Sequence, residues 1–117
     1  MDLTKSDFFS KIYNYEKNPD KWIYEGNKPC IIDFYADWCG PCKAFAPVLA
    51  DAASKYNNQI YVYKINVDNE RELAKNFHIS SIPTLLIIPL GENPQMVRGK
   101  ISKEDLEKII DSILLKN

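Results

Sequence analysis

The stretch that most restricts this chain is YADWCGPCKAFAP, residues 35–47. Ahead of it stands CIIDFYA, apolar, β-branched and aromatic, which suits a short buried strand over residues 30–36. Behind it Phe45, Val48, Leu49, Ala52, Ala53 and Tyr56 recur at helical spacing from Cys39 to about Tyr56. A second strand follows at residues 60–67, where IYVYKINV alternates. A strand, a helix and a strand in direct succession form a crossover unit, which requires a parallel pair and a sheet covered by helices.

The rest of the chain completes that plan. Thr4 and Asp7 cap a first amphipathic helix carrying Phe8, Phe9, Ile12 and Tyr13. Residues 16–29, with Pro19, Gly26 and Pro29, read as a long connection that Trp22 can pin to the body of the domain. NERELAKNF is a short helix, TLLII a strand after SSIP, and QMVRGK a last strand beyond a turn at Gly91 and Asn93. Ser102 and Asp105 cap a closing helix striped by Leu106, Ile109, Ile110, Ile113 and Leu114. Pro47 lies inside the second helix and is expected to bend it. The expectation is one α/β domain over residues 1–117, a mixed sheet of parallel strands and an antiparallel C-terminal hairpin with helices on both faces.

Two thiols stand at the joint between strand and helix. Residues three apart share a helix face, so Cys39 and Cys42 approach within bonding range. Cys39 sits at the helix N-terminus, where unpaired N–H groups and about half a positive charge favour an anion. A cysteine of pKa about 8.5 is roughly 3% ionised at pH 7, and lowering that pKa to about 7 makes roughly half of it thiolate, the nucleophile of disulfide exchange. Pro41 costs nothing in a first helical turn and stiffens the loop, while Gly40 leaves one side open to a partner.

Other uses of the pair are weaker. A disulfide across so small a loop constrains the unfolded chain little, and a 117-residue chain that is 45% hydrophobic can build a core without a disulfide framework. Zinc requires about four ligands, and only Cys30 and His78 remain to join the pair. Inert core thiols do not fit the mouth of a sheet. Fifteen basic and sixteen acidic residues are interleaved, which leaves no stripe for nucleic acid. No run approaches about 18 apolar residues, so no membrane span is expected. The first residues lack the layout of a signal peptide, so a cytoplasmic location is expected, with an exported one open if a leader was removed.

WCGPCK after DFYAD, followed by SIPTLLI and a capped last helix, resembles the thioredoxin family from about Phe8 to Leu115. The resemblance implies a dithiol–disulfide oxidoreductase, a protein-disulfide reductase, with Cys39 as nucleophile and Cys42 as resolving thiol. Thioredoxins are the standing example of a pKa near about 7 at such a cysteine. It implies that Asp33, a carboxylate in a buried strand, helps move the proton of Cys42, and that Lys64 neighbours it on the adjacent strand. It implies a cis Ile82–Pro83 bond opposite the thiols, and a docking surface of Trp38, Gly40, Pro41, Ile82, Pro83 and Gly99 where a substrate pairs with residue 82 as an extended strand. It also implies that the domain binds no cofactor, that NADPH serves indirectly through a thioredoxin reductase, and that the other partners are disulfide-containing proteins; a monomer is expected.

The chain departs from the family pattern at Arg98, where a small apolar residue is usual, at Ser81, often glycine, and in the length of residues 16–29. Arg98 would favour acidic partners. Cys30 reads as a buried small hydrophobe and His78 as structural. Gly-Pro between the cysteines resembles reducing members of the fold, for which about −270 mV is characteristic, against about −120 mV for the strong oxidant of the same fold. An exported oxidase or isomerase, and a binding module without redox chemistry, remain the alternatives.

Overall fold

A computed structural model describes residues 1–116. Its elements are α1 (Lys5–Lys11), β1 (Cys30–Tyr35), α2 (Gly40–Lys55), β2 (Tyr61–Asn66), α3 (Arg71–Asn76), β3 (Thr84–Ile88), β4 (Gln95–Arg98) and α4 (Lys103–Ile109), with a last π-helical turn at Ile110–Leu114. The sheet order is β2-β1-β3-β4. β1 runs parallel to β2 and antiparallel to β3, and β3 is antiparallel to β4, so the mixed sheet has the expected form.

Local chemistry starts the helices where the sequence placed them. The Thr4 hydroxyl accepts the Asp7 N–H at 3.1 Å while the Asp7 carboxylate accepts the Thr4 N–H. Ser102 Oγ accepts the Asp105 N–H at 3.1 Å. Within α2, Pro47 has no N–H to offer the carbonyl of Lys43.

Side chains alternate along a strand, and β1 uses both faces. Cys30, Ile32 and Phe34 join Phe8 and Ile12 of α1 and Leu73 of α3 in one apolar layer. Ile31, with Leu85 and Ile87, meets Phe45 and Leu49 of α2 and Leu106 and Ile110 of the C-terminal helix in the other. Burying each of Phe8, Phe34 and Phe45 contributes about 2–3 kcal/mol. Trp22 does pin the long connection: its ring lies 4.6 Å from that of Tyr13, and the Glu25 N–H donates to the Ile12 carbonyl at 2.8 Å.

One pairing was not anticipated. The Leu3 N–H donates to Lys64 O at 2.8 Å and the Lys64 N–H to Met1 O at 2.9 Å, so the N-terminal residues extend the sheet beside β2. His78 takes a left-handed conformation (φ 54°) just past α3. It closes that helix while its N–H reaches Lys75 O and the Ile79 N–H reaches Ala74 O.

Candidate active site

β1 ends at Tyr35, and after a short turn the chain enters α2 with Cys39 as its N-cap. Cys39 is extended (φ −85°, ψ 110°), and its sulfur accepts the Cys42 N–H at 3.2 Å. That contact is the usual N-cap interaction with sulfur in place of oxygen. Pro41 occupies the first turn, where no N–H is missed. Cys39 and Cys42 are joined as a disulfide with their Cα atoms 5.2 Å apart. Cys39 is 4% exposed and Cys42 5%, so a partner reaches the sulfurs only along the surface beside them.

That surface is a groove of about 430 Å³ lined by Trp38, Cys39, Gly40, Pro41, Val67, Ile79, Ser80, Ser81 and Ile82. The Ile82–Pro83 bond is cis, and the Ile82 carbonyl oxygen lies 3.8 Å from Cys39 Sγ. Trp38 is 69% exposed, and its indole N–H donates to Asp68 Oδ2 at 2.8 Å. Around Gly40 there is open space where a side chain would stand.

Of the six residues expected at a docking surface, Trp38, Gly40, Pro41 and Ile82 line this groove together. Pro83 is buried behind it, and Gly99 stands outside its wall, tied to Pro83 O by its own N–H at 2.8 Å. Val67, Ile79, Ser80 and the Trp38–Asp68 bond were missed. They come from the β2–α3 joint and the segment after α3, and only folding sets them beside the cysteines. Arg98 ends β4, exposed and in register with Thr84.

Below the disulfide, Asp33 lies on the α2 side of β1 and is 1% exposed, with Oδ1 lacking any hydrogen-bond partner. Burial disfavours its charge and pushes its pKa up to about 6, while Lys64 pulls it down and Asp2 pushes it up. Lys64 is in register with Asp33 on β2. Lys64 also lines a second cleft of about 370 Å³, with Tyr35, Ala36, Asp37, Cys42, Lys43 and Ala46. Cys30 is sealed in the opposite layer, where burial pushes its thiol up to about 12.

Chemically this is a disulfide at a helix start, with an open groove on one side and a buried carboxyl nearby. Comparison with known proteins agrees. The thioredoxin family model matches residues 10–112. A thioredoxin of Borreliella burgdorferi is 39% identical over 110 residues, which cover 94% of this chain and 93% of the relative. A bifunctional thioredoxin reductase/thioredoxin of Mycobacterium leprae is 38% identical over 92 residues, covering 79% of this chain and 20% of that protein. The crystal structure of chloroplastic thioredoxin z superposes with a TM-score of 0.78 at 26% identity, covering 96% of this chain and 91% of that one. The chain therefore belongs to the thioredoxin family, and with Cys39 and Cys42 paired it is a dithiol–disulfide oxidoreductase of the protein-disulfide reductase kind.

Proposed function

We propose that the chain is a general reductant in which Cys39 is the nucleophile, Cys42 the resolving thiol and Asp33 the proton carrier, within a single domain of residues 1–117. The observation that carries this reading is the N-cap position of Cys39, whose sulfur receives the Cys42 N–H beside an open groove. In the dithiol form that N–H and the start of α2 stabilise a thiolate on Cys39.

The thiolate attacks one sulfur of a partner disulfide. A new S–S bond joins Cys39 to the partner, and the other partner sulfur leaves as thiolate. Cys42 then gives its proton to the Asp33 carboxylate, by way of water in the cleft that Cys42 and Lys64 share. The Cys42 thiolate attacks Cys39 Sγ, the mixed disulfide breaks, and the second partner sulfur leaves as thiolate and takes up the proton that Asp33 holds. Two electrons have passed to the partner, and Cys39–Cys42 is oxidised.

An extended partner chain pairs with the Ile82 backbone, packs on Trp38, Gly40 and Pro41, and is oriented by the segment that Pro83 and Gly99 hold from behind. Exposed Arg98 biases this docking toward acidic segments. A flavin- and NADPH-dependent thioredoxin reductase restores the dithiol, a reading supported by the relative whose name joins both activities. We place the protein in the cytoplasm as a monomer that carries electrons in cell redox homeostasis. Among the described residues no helix is long and apolar enough to cross a membrane.

The test is reduction of insulin coupled to NADPH and a thioredoxin reductase, beside Cys39→Ser. The wild type should precipitate insulin and the variant should match the blank. A folded wild-type protein that fails to turn over refutes the reading. An equilibrium potential nearer about −120 than −270 mV against glutathione would instead favour the oxidase.

A further inference from the structure

β1, β2 and the N-terminal residues paired with β2 present one row of side chains across the sheet close to the redox end. Asp2 is in parallel register with Lys64, and Lys64 with Asp33. In-register neighbours on adjacent strands face the same side, so the row reads carboxylate, ammonium, carboxylate. Its Asp2 end is exposed and its Asp33 end buried. Two main-chain hydrogen bonds, Leu3 N–H to Lys64 O and Lys64 N–H to Met1 O, hold the exposed end in place.

The cation in the middle is not committed to either neighbour. Lys64 Nζ stands over the Tyr35 ring, 4.3 Å from its centroid, and among the described residues it makes no ion pair within 4.0 Å. The hydroxyl of that same Tyr35 donates to Asp2 Oδ1 at 2.6 Å. Asp2 thus anchors the ring on which the ammonium rests. Burial and Asp2 together push the Tyr35 hydroxyl up to about 12, so it remains a donor across the working range of pH.

We propose that Asp2 is a positioning residue for Asp33: by anchoring Tyr35 and sharing Lys64 across the sheet, it keeps the buried carboxyl a proton carrier instead of a fixed ion-pair partner. The proposal rests on the role given to Asp33 above. Both effects of the Asp2 charge have one sign, because it repels a carboxylate at Asp33 and draws Lys64 away from it. The other groups around Asp33 do not reproduce this. Cys42 and Lys43 of α2 face the cleft, Asp37 lies beyond the end of β1, Asn66 of β2 is uncharged, and β3 offers the apolar Leu85.

The test follows the Asp33 side-chain carboxyl by NMR in the oxidised full chain between roughly pH 4 and 9. Wild type, D2N and D2E are compared, and D2N is repeated in a K64Q background. D2N should lower the Asp33 midpoint by about half a pH unit or more, and D2E should restore it to within about 0.2. In K64Q the effect of D2N should shrink to less than half, because the shared cation is gone. A midpoint that D2N leaves in place, or lowers equally in both backgrounds, overturns the proposal. Insulin reduction is recorded against pH on the same samples. Should the Asp33 midpoint move while the turnover profile stays fixed, the positioning by Asp2 holds and it is the role of Asp33 in the reaction that fails.

Discussion

The two faces of β1 solve different problems with the same six residues. On one, Cys30, Ile32 and Phe34 meet α1 and α3 in a layer in which even the thiol is held un-ionised. On the other, Ile31 is followed two residues on by Asp33, a carboxyl with one oxygen unpaired, next to the helix that carries the cysteines. An unpaired buried polar group is costly, and here the cost falls on the face that does the chemistry. The first face can be optimised for packing alone; the second gives up stability to hold a carboxyl which, on the function proposed above, carries a proton.

The comparison breaks most visibly at Phe34. Phe34→Ala removes a fully buried ring and should cost about 3–5 kcal/mol in urea unfolding, with the pH dependence of stability unchanged. A change in pH dependence would mean that the two faces are not separable. Asp33→Asn should do the reverse. The folded chain holds the Asp33 proton to about pH 6, while the unfolded chain loses it near 3.8. Between those values the folded state binds more protons, so wild-type stability falls as pH rises through the window. The deficit above it is about 3 kcal/mol. Asp33→Asn should abolish that downward step, gain roughly that much at pH 8, and slow resolution of the mixed disulfide. Unfolding curves across pH decide it; a wild type with no step would remove the argument.

Smaller changes sharpen the contrast. Asp68→Ala releases the Trp38 indole and should raise KM for protein substrates about fivefold with kcat unchanged, the equivalent of about 1 kcal/mol for one hydrogen bond. His78→Gly, at the exposed end of α3, relieves a left-handed residue and should gain about 0.5–1 kcal/mol while leaving turnover as it was. Steady-state kinetics and thermal unfolding are sufficient for both.

How much of this was legible depends on how local each cause is. The capping pairs at Thr4 and Ser102, the change of period around Cys39 and the apolar runs of β1 and β3 are near-neighbour effects, and they appear where the sequence places them. Asp33 was conspicuous as a charge in an apolar run, but only the packed helices show which face of the strand it occupies. Residues 1–3 were not legible as part of the sheet. Two bonds to Lys64 recruit them, and three residues are too few to show a period. Val67 reaches the groove just past the end of the parallel β1–α2–β2 crossover, and Ile79 and Ser80 in the connection from α3 to β3, placements that sequence spacing does not report. The π-helical last turn likewise leaves no mark in the stripe from Leu106 to Leu114.

The same N-terminal pairing has a consequence for how the molecule keeps company with its own copies. Met1 and Leu3 occupy hydrogen-bonding positions along the outer side of β2, where a stray strand would otherwise attach. The opposite margin, β4, is four residues long, follows Pro94 and ends in the exposed Arg98, a poor template for stacking. With the outer side of β2 occupied at Lys64 and β4 cut short, both margins of the sheet offer a stray strand fewer free positions than two bare edges would.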